Sequence, residues 1–344
     1  MKRFSSIAIA ILLIFLPSCR KIEVEGTTDQ QKNFEALWNI LNDNYCYFEE
    51  KNIDWDAVKV KYQSRLDEKK LNTLEFFDLL SDMIRELKDG HCNLISFFDH
   101  GKYTWTNPND EESLDPTLRK IYLGDKYRVS RGMIYKKIKS VSASEEDEAD
   151  IGYIIYPSFM NSLGEMQFLS LYFVNCKGVI IDVRGNGGGL VTNSDELLSY
   201  LLSQKTLVGY TRYKKSAKRG DYSDPRPQYV SPYGNNAFWA NIPIVVLQDA
   251  GSYSATNDFL YKSVYENNIT TVGLKSGGGA GLPSMAELPN GWRVRYSTAA
   301  GLDRKSISHE QGIEPEVRIS LSGAKDRDDI IEKGIEIIYS KYKV

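Results

Sequence analysis

The chain has 344 residues, with 43 basic against 46 acidic side chains, three histidines and four cysteines. That length supports one large domain or two smaller ones with a sizeable core, and the near-neutral balance recruits neither nucleic acid nor an anionic membrane surface. Three histidines and no Cys-x-x-Cys pair argue against a metal site, and no cofactor is expected.

The chain opens on a processing signal. Lys2 and Arg3 precede an apolar run from Ile7 to Leu16, which ends in Leu16-Pro17-Ser18-Cys19. A basic start, a short apolar core and a small-residue cleavage site describe a secretory signal, and the run is about half the ~20 residues a spanning helix needs. Leucine at −3, serine at −1 and cysteine at the cut resemble a bacterial lipobox, with Pro17 an unusual choice between them. The alternative is a cut near Ser18 with Cys19 merely present. The expectation is a lipoprotein signal over 1–19, a lipid on Cys19, a linker over 20–26, and a cell-envelope location.

A helical section follows over 27–90. Phe34, Leu37, Trp38, Leu41 and Tyr45 fall at helical spacing, as do Val58 and Tyr62 after Asp54. Asn72 with Glu75 reads as a capping box opening a third helix, whose face carries Phe76, Leu80, Ile84 and Leu87. Gly90 is placed to end that helix in the left-handed conformation.

From Cys92 the period changes. Residues 94–98, 151–156, 178–183, 207–213, 242–247 and 270–274 suit strands, with helical patterns between several of them. That alternation predicts an α/β core with crossover units over 91–344. Asn290-Gly291 sits between two alternating runs as a hairpin turn. The stretch 142–150 reads as a solvated loop, and 326–342 as an amphipathic closing helix. Cys46, Cys92 and Cys176 are too widely spaced for a disulfide framework, although a bond between two of them stays open.

Two strand–turn–helix junctions carry the chemistry. Asp182-Val183-Arg184 empties into Gly185-Asn186-Gly187-Gly188-Gly189, where glycines let the backbone turn N–H groups toward an anion. About sixty residues on, the strand ending at Leu247 leads through a turn to Ser254, with a helix beginning at Ala255. A serine there can expose its hydroxyl beside a helix N-terminus, whose dipole favours a developing oxyanion. It can equally be a helix cap, and Ser252 has the same reading. The sequence around it is not Gly-x-Ser-x-Gly.

A nucleophilic serine needs a base, and His91, directly after the helix stop, is the natural candidate; a loop or core histidine is the plain alternative. Glu310, before Gly312-Ile313-Glu314-Pro315, is one of many carboxylates that could orient it. The second glycine loop, Ser276 to Gly281, lacks a P-loop ending, which disfavours nucleotides.

Together these segments resemble the C-terminal-processing (tail-specific) serine peptidase family, which includes the core of the tricorn protease. The resemblance covers roughly residues 74–318. It rests on Asp89-Gly90-His91, Ile151 to Phe159, Asp182 to Gly189, Ser252 to Asn257, and Val272-Gly273 through Gly312-Ile313-Glu314-Pro315. It implies a ClpP/crotonase-like βαβ-spiral core behind a small helical N-terminal domain, with Ser254 as nucleophile and Gly188 and Ala255 as oxyanion donors. The processing branch uses a lysine base, but its position here holds Gly279, and Lys275 lies four residues early. The tricorn-like branch uses a histidine and a glutamate, which fall on His91 and Glu310, although that branch's serine before the histidine is replaced by Gly90. Some sixty residues between His91 and Ile151 are too few for a PDZ domain beside the strand there.

The resemblance implies a serine peptidase acting on peptides or unfolded protein segments, and the signal adds the anchor. A non-catalytic peptide- or lipid-binding module on the same scaffold, and a carboxylester hydrolase, are the competing readings.

Overall fold

The structure is a computed structural model that describes residues 27–103, 112–234 and 236–342. The signal and Cys19 lie outside them.

Three helices open the described chain: α1 (Gln30–Asn44), α2 (Trp55–Asp67) and α3 (Thr73–Arg85). Asp29, Asp54 and Asn72 each accept a first-turn backbone N–H, and Asn72 completes a capping box with Glu75. Caps of this kind contribute about 1 kcal/mol each. The turn after α3 is made differently from expectation. Lys88 takes the positive φ of +46°, and Gly90 does not.

Next come β1 (Asn93–Ile95), β2 (His100–Lys102), α4 (Pro116–Leu123), β3 (Arg128–Ser130) and β4 (Met133–Ile138). These elements lie between His91 and Ile151. The core proper runs β5 (Ile151–Ile155), α5 (Met166–Tyr172), β6 (Gly178–Asp182), α6 (Val191–Leu201), β7 (Thr206–Tyr213), β8 (Arg226–Val230), α7 (Ala237–Asn241), β9 (Ile244–Gln248) and α8 (Ala255–Ser263). It closes with β10 (Ile269–Gly273), β11 (Gly281–Glu287), β12 (Arg293–Asp303), β13 (Val317–Arg318) and α9 (Asp329–Tyr342).

One sheet has the order β13-β10-β9-β6-β5-β4-β3, parallel from β13 to β5 and antiparallel beyond. Its central strands β6, β9 and β10 are buried throughout and largely apolar because both faces are covered. Val179 and Ile181 of β6 face the core that includes Leu197 and Phe259, while Ile180 between them joins Ile330, Ile331, Ile335 and Ile338 of α9. This is the two-residue alternation of a strand.

The second sheet, β2-β1-β12-β7-β8 with β11 on β12, is antiparallel. Gly291 makes the expected hairpin turn between β11 and β12 at φ +85°. The helical section shares its core with this sheet: the Phe76 and Phe77 rings lie 5.7 and 5.3 Å from Trp292. That packing brings the residues after α3 onto the carboxyl ends of β6, β9 and β10. Cys46, Cys92 and Cys176 are buried free thiols.

Candidate active site

The turn after β9 is stitched to the glycine loop after β6. Asp249 Oδ1 accepts the N–H groups of Gly185 and Gly251 at 2.8 and 2.9 Å, and Ser252 Oγ donates to the Val183 carbonyl at 2.9 Å. Ser252 is therefore a structural tie. Tyr253 N–H bonds the Asn186 carbonyl and Ser254 N–H the Gly278 carbonyl, so two loops clamp the turn.

This clamp holds Ser254 at φ +58°, ψ −118°, a conformation strained for any residue with a side chain. Its hydroxyl makes no capping bond to α8. It lies instead 2.9 Å from His91 Nε2. The two residues are 163 positions apart in sequence and within hydrogen-bond reach in space.

His91 is buried, and its backbone N–H donates to Asp89 Oδ1 at 2.7 Å. Burial pushes its imidazole pKa down to about 4, against the pull of Asp89. The ring is therefore neutral at neutral pH, the state a general base requires.

Glu310 does not stand where a direct orienting acid would. Its Oε1 accepts from Lys51 Nζ at 2.9 Å. Its Oε2 and His91 Nδ1 are both buried with no hydrogen-bond partner among the described residues. The expected Glu310–His91 bond is thus not made, and the carboxylate is turned to Lys51 instead. Lys51, from the loop after α1, also comes within 3.8 Å of Asp89. Lys275 lines a cavity of about 630 Å³ with Lys51, Tyr253 and Glu310, and no bond joins it to Ser254 among the described residues.

The oxyanion pair is also corrected. Ala255 N–H meets no acceptor among the described residues, so it points free at the start of α8. Gly188 N–H donates to Asn186 Oδ1 at 2.9 Å and is not available. An Asn side chain bonding two residues on is a local turn that forms readily in a glycine loop. Gly188 matters sterically instead. A Cβ there would fall 2.7 Å from the Tyr253 carbonyl oxygen and 2.8 Å from Ser254 Cβ, and its φ is +100°.

Asp182 and Arg184 anchor the loop from below. Arg184 Nη2 pairs with Asp182 at 2.7 Å and its Nη1 with Asp328 at 3.0 Å, while Arg119 and the Tyr153 hydroxyl also reach Asp182 at 2.8 Å. All of this lies under the glycines and away from Ser254. Lys51 and Tyr253 are the site residues that sequence reasoning missed. Lys51 had no signal, since it reaches Glu310 across 259 positions. Tyr253 stood beside the nucleophile, but nothing in the pattern tells where its ring points.

Comparison with known proteins gives the family. Residues 150–319 match peptidase family S41, and residues 27–85 match the tricorn protease C1 domain. The chain is 39% identical to a Parabacteroides merdae protein of known structure, provisionally assigned as a peptidase; the match covers 92% of this chain and 98% of that one, with a TM-score of 0.83. It is 27% identical over 231 residues to the tricorn protease of Thermoplasma volcanium, covering 64% of this chain. The chain spans only about a fifth of that relative's length. Mature CPAF, at 14% identity and a TM-score of 0.63 over 91% of this chain and 97% of its own, shares the fold. The chain belongs to peptidase family S41.

Proposed function

We propose that this protein hydrolyses peptide bonds of peptides or unfolded protein segments, with Ser254 as nucleophile and His91 as its base. The observation that carries this is the 2.9 Å contact between Ser254 Oγ and His91 Nε2, made by a serine held in a strained turn and not by a helix cap. The serine proton passes to Nε2 as Oγ attacks the carbonyl carbon. The resulting oxyanion is met by Ala255 N–H and the positive end of α8. His91 then returns the proton to the leaving amine, and water repeats the cycle on the acyl-enzyme. Glu310 is assigned to the same machinery at one remove.

The test is labelling with a serine-directed phosphonylating reagent, followed by turnover of matched peptide and ester substrates. Ser254→Ala and His91→Ala are expected to abolish labelling and peptide turnover, and Lys275→Ala to keep both within about threefold. A folded wild-type protein that never labels returns the chain to the binding-module reading. Ester turnover without peptide turnover makes it an esterase.

The location is part of the same proposal: a lipid on Cys19 holds the enzyme at the bacterial cell envelope. Among the described residues no helix is long and apolar enough to cross a membrane. Cys19→Ala is expected to move the protein from the membrane to the soluble fraction, and unchanged retention refutes the lipid anchor.

A further inference from the structure

We propose that Asp89 is the positioning acid of this site: it fixes His91 through the backbone, and its charge steadies the imidazolium formed when His91 takes the Ser254 proton. This rests on the peptidase reading above and gives to Asp89 the part that the tricorn-like resemblance gives to Glu310.

Asp89 is buried, and each of its carboxylate oxygens has a donor. Oδ1 accepts the His91 backbone N–H at 2.7 Å. Oδ2 accepts the Ser297 hydroxyl at 3.1 Å, with the Lys51 ammonium 3.8 Å away. Cys92 N–H bonds the Asp89 carbonyl at 3.0 Å, so the peptide groups on both sides of His91 are tied to one residue. Gly90, between them, is closed to a side chain, since a Cβ there would fall 2.8 Å from the Tyr253 hydroxyl. The positive φ of this turn belongs to Lys88, so it is the phenol and not the backbone that requires glycine at 90. His91 therefore reaches Ser254 from a turn whose acid is Asp89.

The ring itself has no acid bonded to it. Its Nδ1 is buried without a hydrogen-bond partner among the described residues, so a positive ring must be balanced through space. Burial makes that balance count, because little water screens the charges. Burial lowers the ring's pKa most; of the charges that reach it, Asp89 raises the pKa, and Arg295 and Lys51 lower it. Arg295, on β12, donates to the His91 carbonyl at 3.4 Å. Glu310 is not placed for this part: its Oε1 is committed to Lys51, and its Oε2 meets no partner among the described residues. During turnover the Ser254 proton passes to Nε2 and on to the leaving amine. Asp89 neither gains nor loses a proton; it faces the charge that comes and goes on the ring.

The test compares Asp89→Asn with Glu310→Gln on one peptide substrate. Asparagine keeps an oxygen for the His91 N–H and removes the charge. Asp89→Ser, whose hydroxyl can accept the same N–H, takes its place if the asparagine variant does not fold. The expected result is a kcat lower by roughly tenfold or more, with KM within about twofold, and a smaller loss for Glu310→Gln. The second readout is the His91 ring in the phosphonylated enzyme, followed by NMR of protein labelled with 13C-histidine. The charged ring of that adduct is expected to lose its proton at a clearly lower pH in Asp89→Asn than in wild type, which a merely structural Asp89 would not cause. An Asp89→Asn enzyme within about tenfold of wild type, a larger loss for Glu310→Gln, or an unmoved His91 titration overturns the assignment. A wild-type protein that never labels, or a Ser254→Ala variant that still turns over, removes the peptidase reading itself.

Discussion

Lys51 Nζ lies 2.9 Å from Glu310 Oε1, and the same ammonium is 3.8 Å from Asp89, so one buried cation serves two buried carboxylates. Asp89 has the better claim to the charge. It accepts the His91 N–H and the Ser297 hydroxyl besides facing Lys51, and these outweigh its burial and hold its pKa below the ordinary range. Among the described residues the Glu310 carboxylate has only the lysine. Burial and the Asp89 charge push its pKa up to about 8, with Lys51 opposing and Glu50 adding to the rise.

The consequence is a pH dependence with a definite sign. A protonated Glu310 no longer offsets the Lys51 charge, and that charge then lowers the basicity of His91 further and weakens the base. Activity therefore falls as the pH drops through about 8, well above the pH near 4 at which His91 itself is protonated. A kcat/KM profile flat from pH 6 to 9 would rule this out. Stability runs the opposite way. The folded chain holds a proton on Glu310 that the unfolded chain releases near its ordinary pKa, so this group's contribution is full below that value and is lost as the pH rises through about 8. Glu310→Gln is expected to remove that slope from the melting temperature.

Ser254 gives a second prediction. Its φ of +58° and ψ of −118° cost of order 1–3 kcal/mol, and its hydroxyl returns no capping bond. Ser254→Ala keeps the strain and is expected to leave stability within about 0.5 kcal/mol, a typical range for changes that break no feature. Ser254→Gly relieves the strain and is expected to raise stability by roughly 1 kcal/mol while abolishing turnover. Urea unfolding of the two variants decides it. A glycine variant no more stable than the alanine one means that the turn stores no strain.

What was legible in the sequence follows from this geometry. Ser254 and His91 were readable because each stands at a junction of elements, one after a buried strand and one after a helix stop. Both features are local in sequence. The oxyanion pair was half readable: Ala255 opens a helix, but the engagement of Gly188 depends on the rotamer of Asn186 two residues before it. Gly90 was read as a helix terminator because glycine commonly plays that part. Its actual cause, the Tyr253 ring, comes from 163 residues further on and is invisible to any local pattern. The sheet's covered faces were readable from the unbroken apolar runs. The sharing of one core between the helical section and the second sheet was not, since it depends on where Trp292 lands.

Arg184 carries the last prediction. It lies fully buried between Asp182 and Asp328, at 2.7 and 3.0 Å, beneath the loop that contacts the nucleophile turn. Burial alone would raise the Asp182 pKa, but the charges of Arg184 and Arg119 outweigh it and hold the carboxyl well below its usual range. That contribution is present above the ordinary carboxylate pKa and is lost as the pH falls through the depressed value. Arg184→Met leaves Asp328 without its guanidinium and Asp182 with Arg119, Tyr153 and the backbone N–H of residue 184. Removing one partner of such a buried set typically costs about 3–5 kcal/mol, because a charge stays behind unpaired. The variant is expected to unfold at a clearly lower urea concentration with an unchanged m-value, and to lose its acid stability at a higher pH than wild type. It should also label slowly at Ser254 while still folded, since Asp249 and Asn186 tie the loop to the nucleophile turn. A variant that unfolds early yet labels at the wild-type rate would confine the network to stability and separate it from the positioning of Ser254.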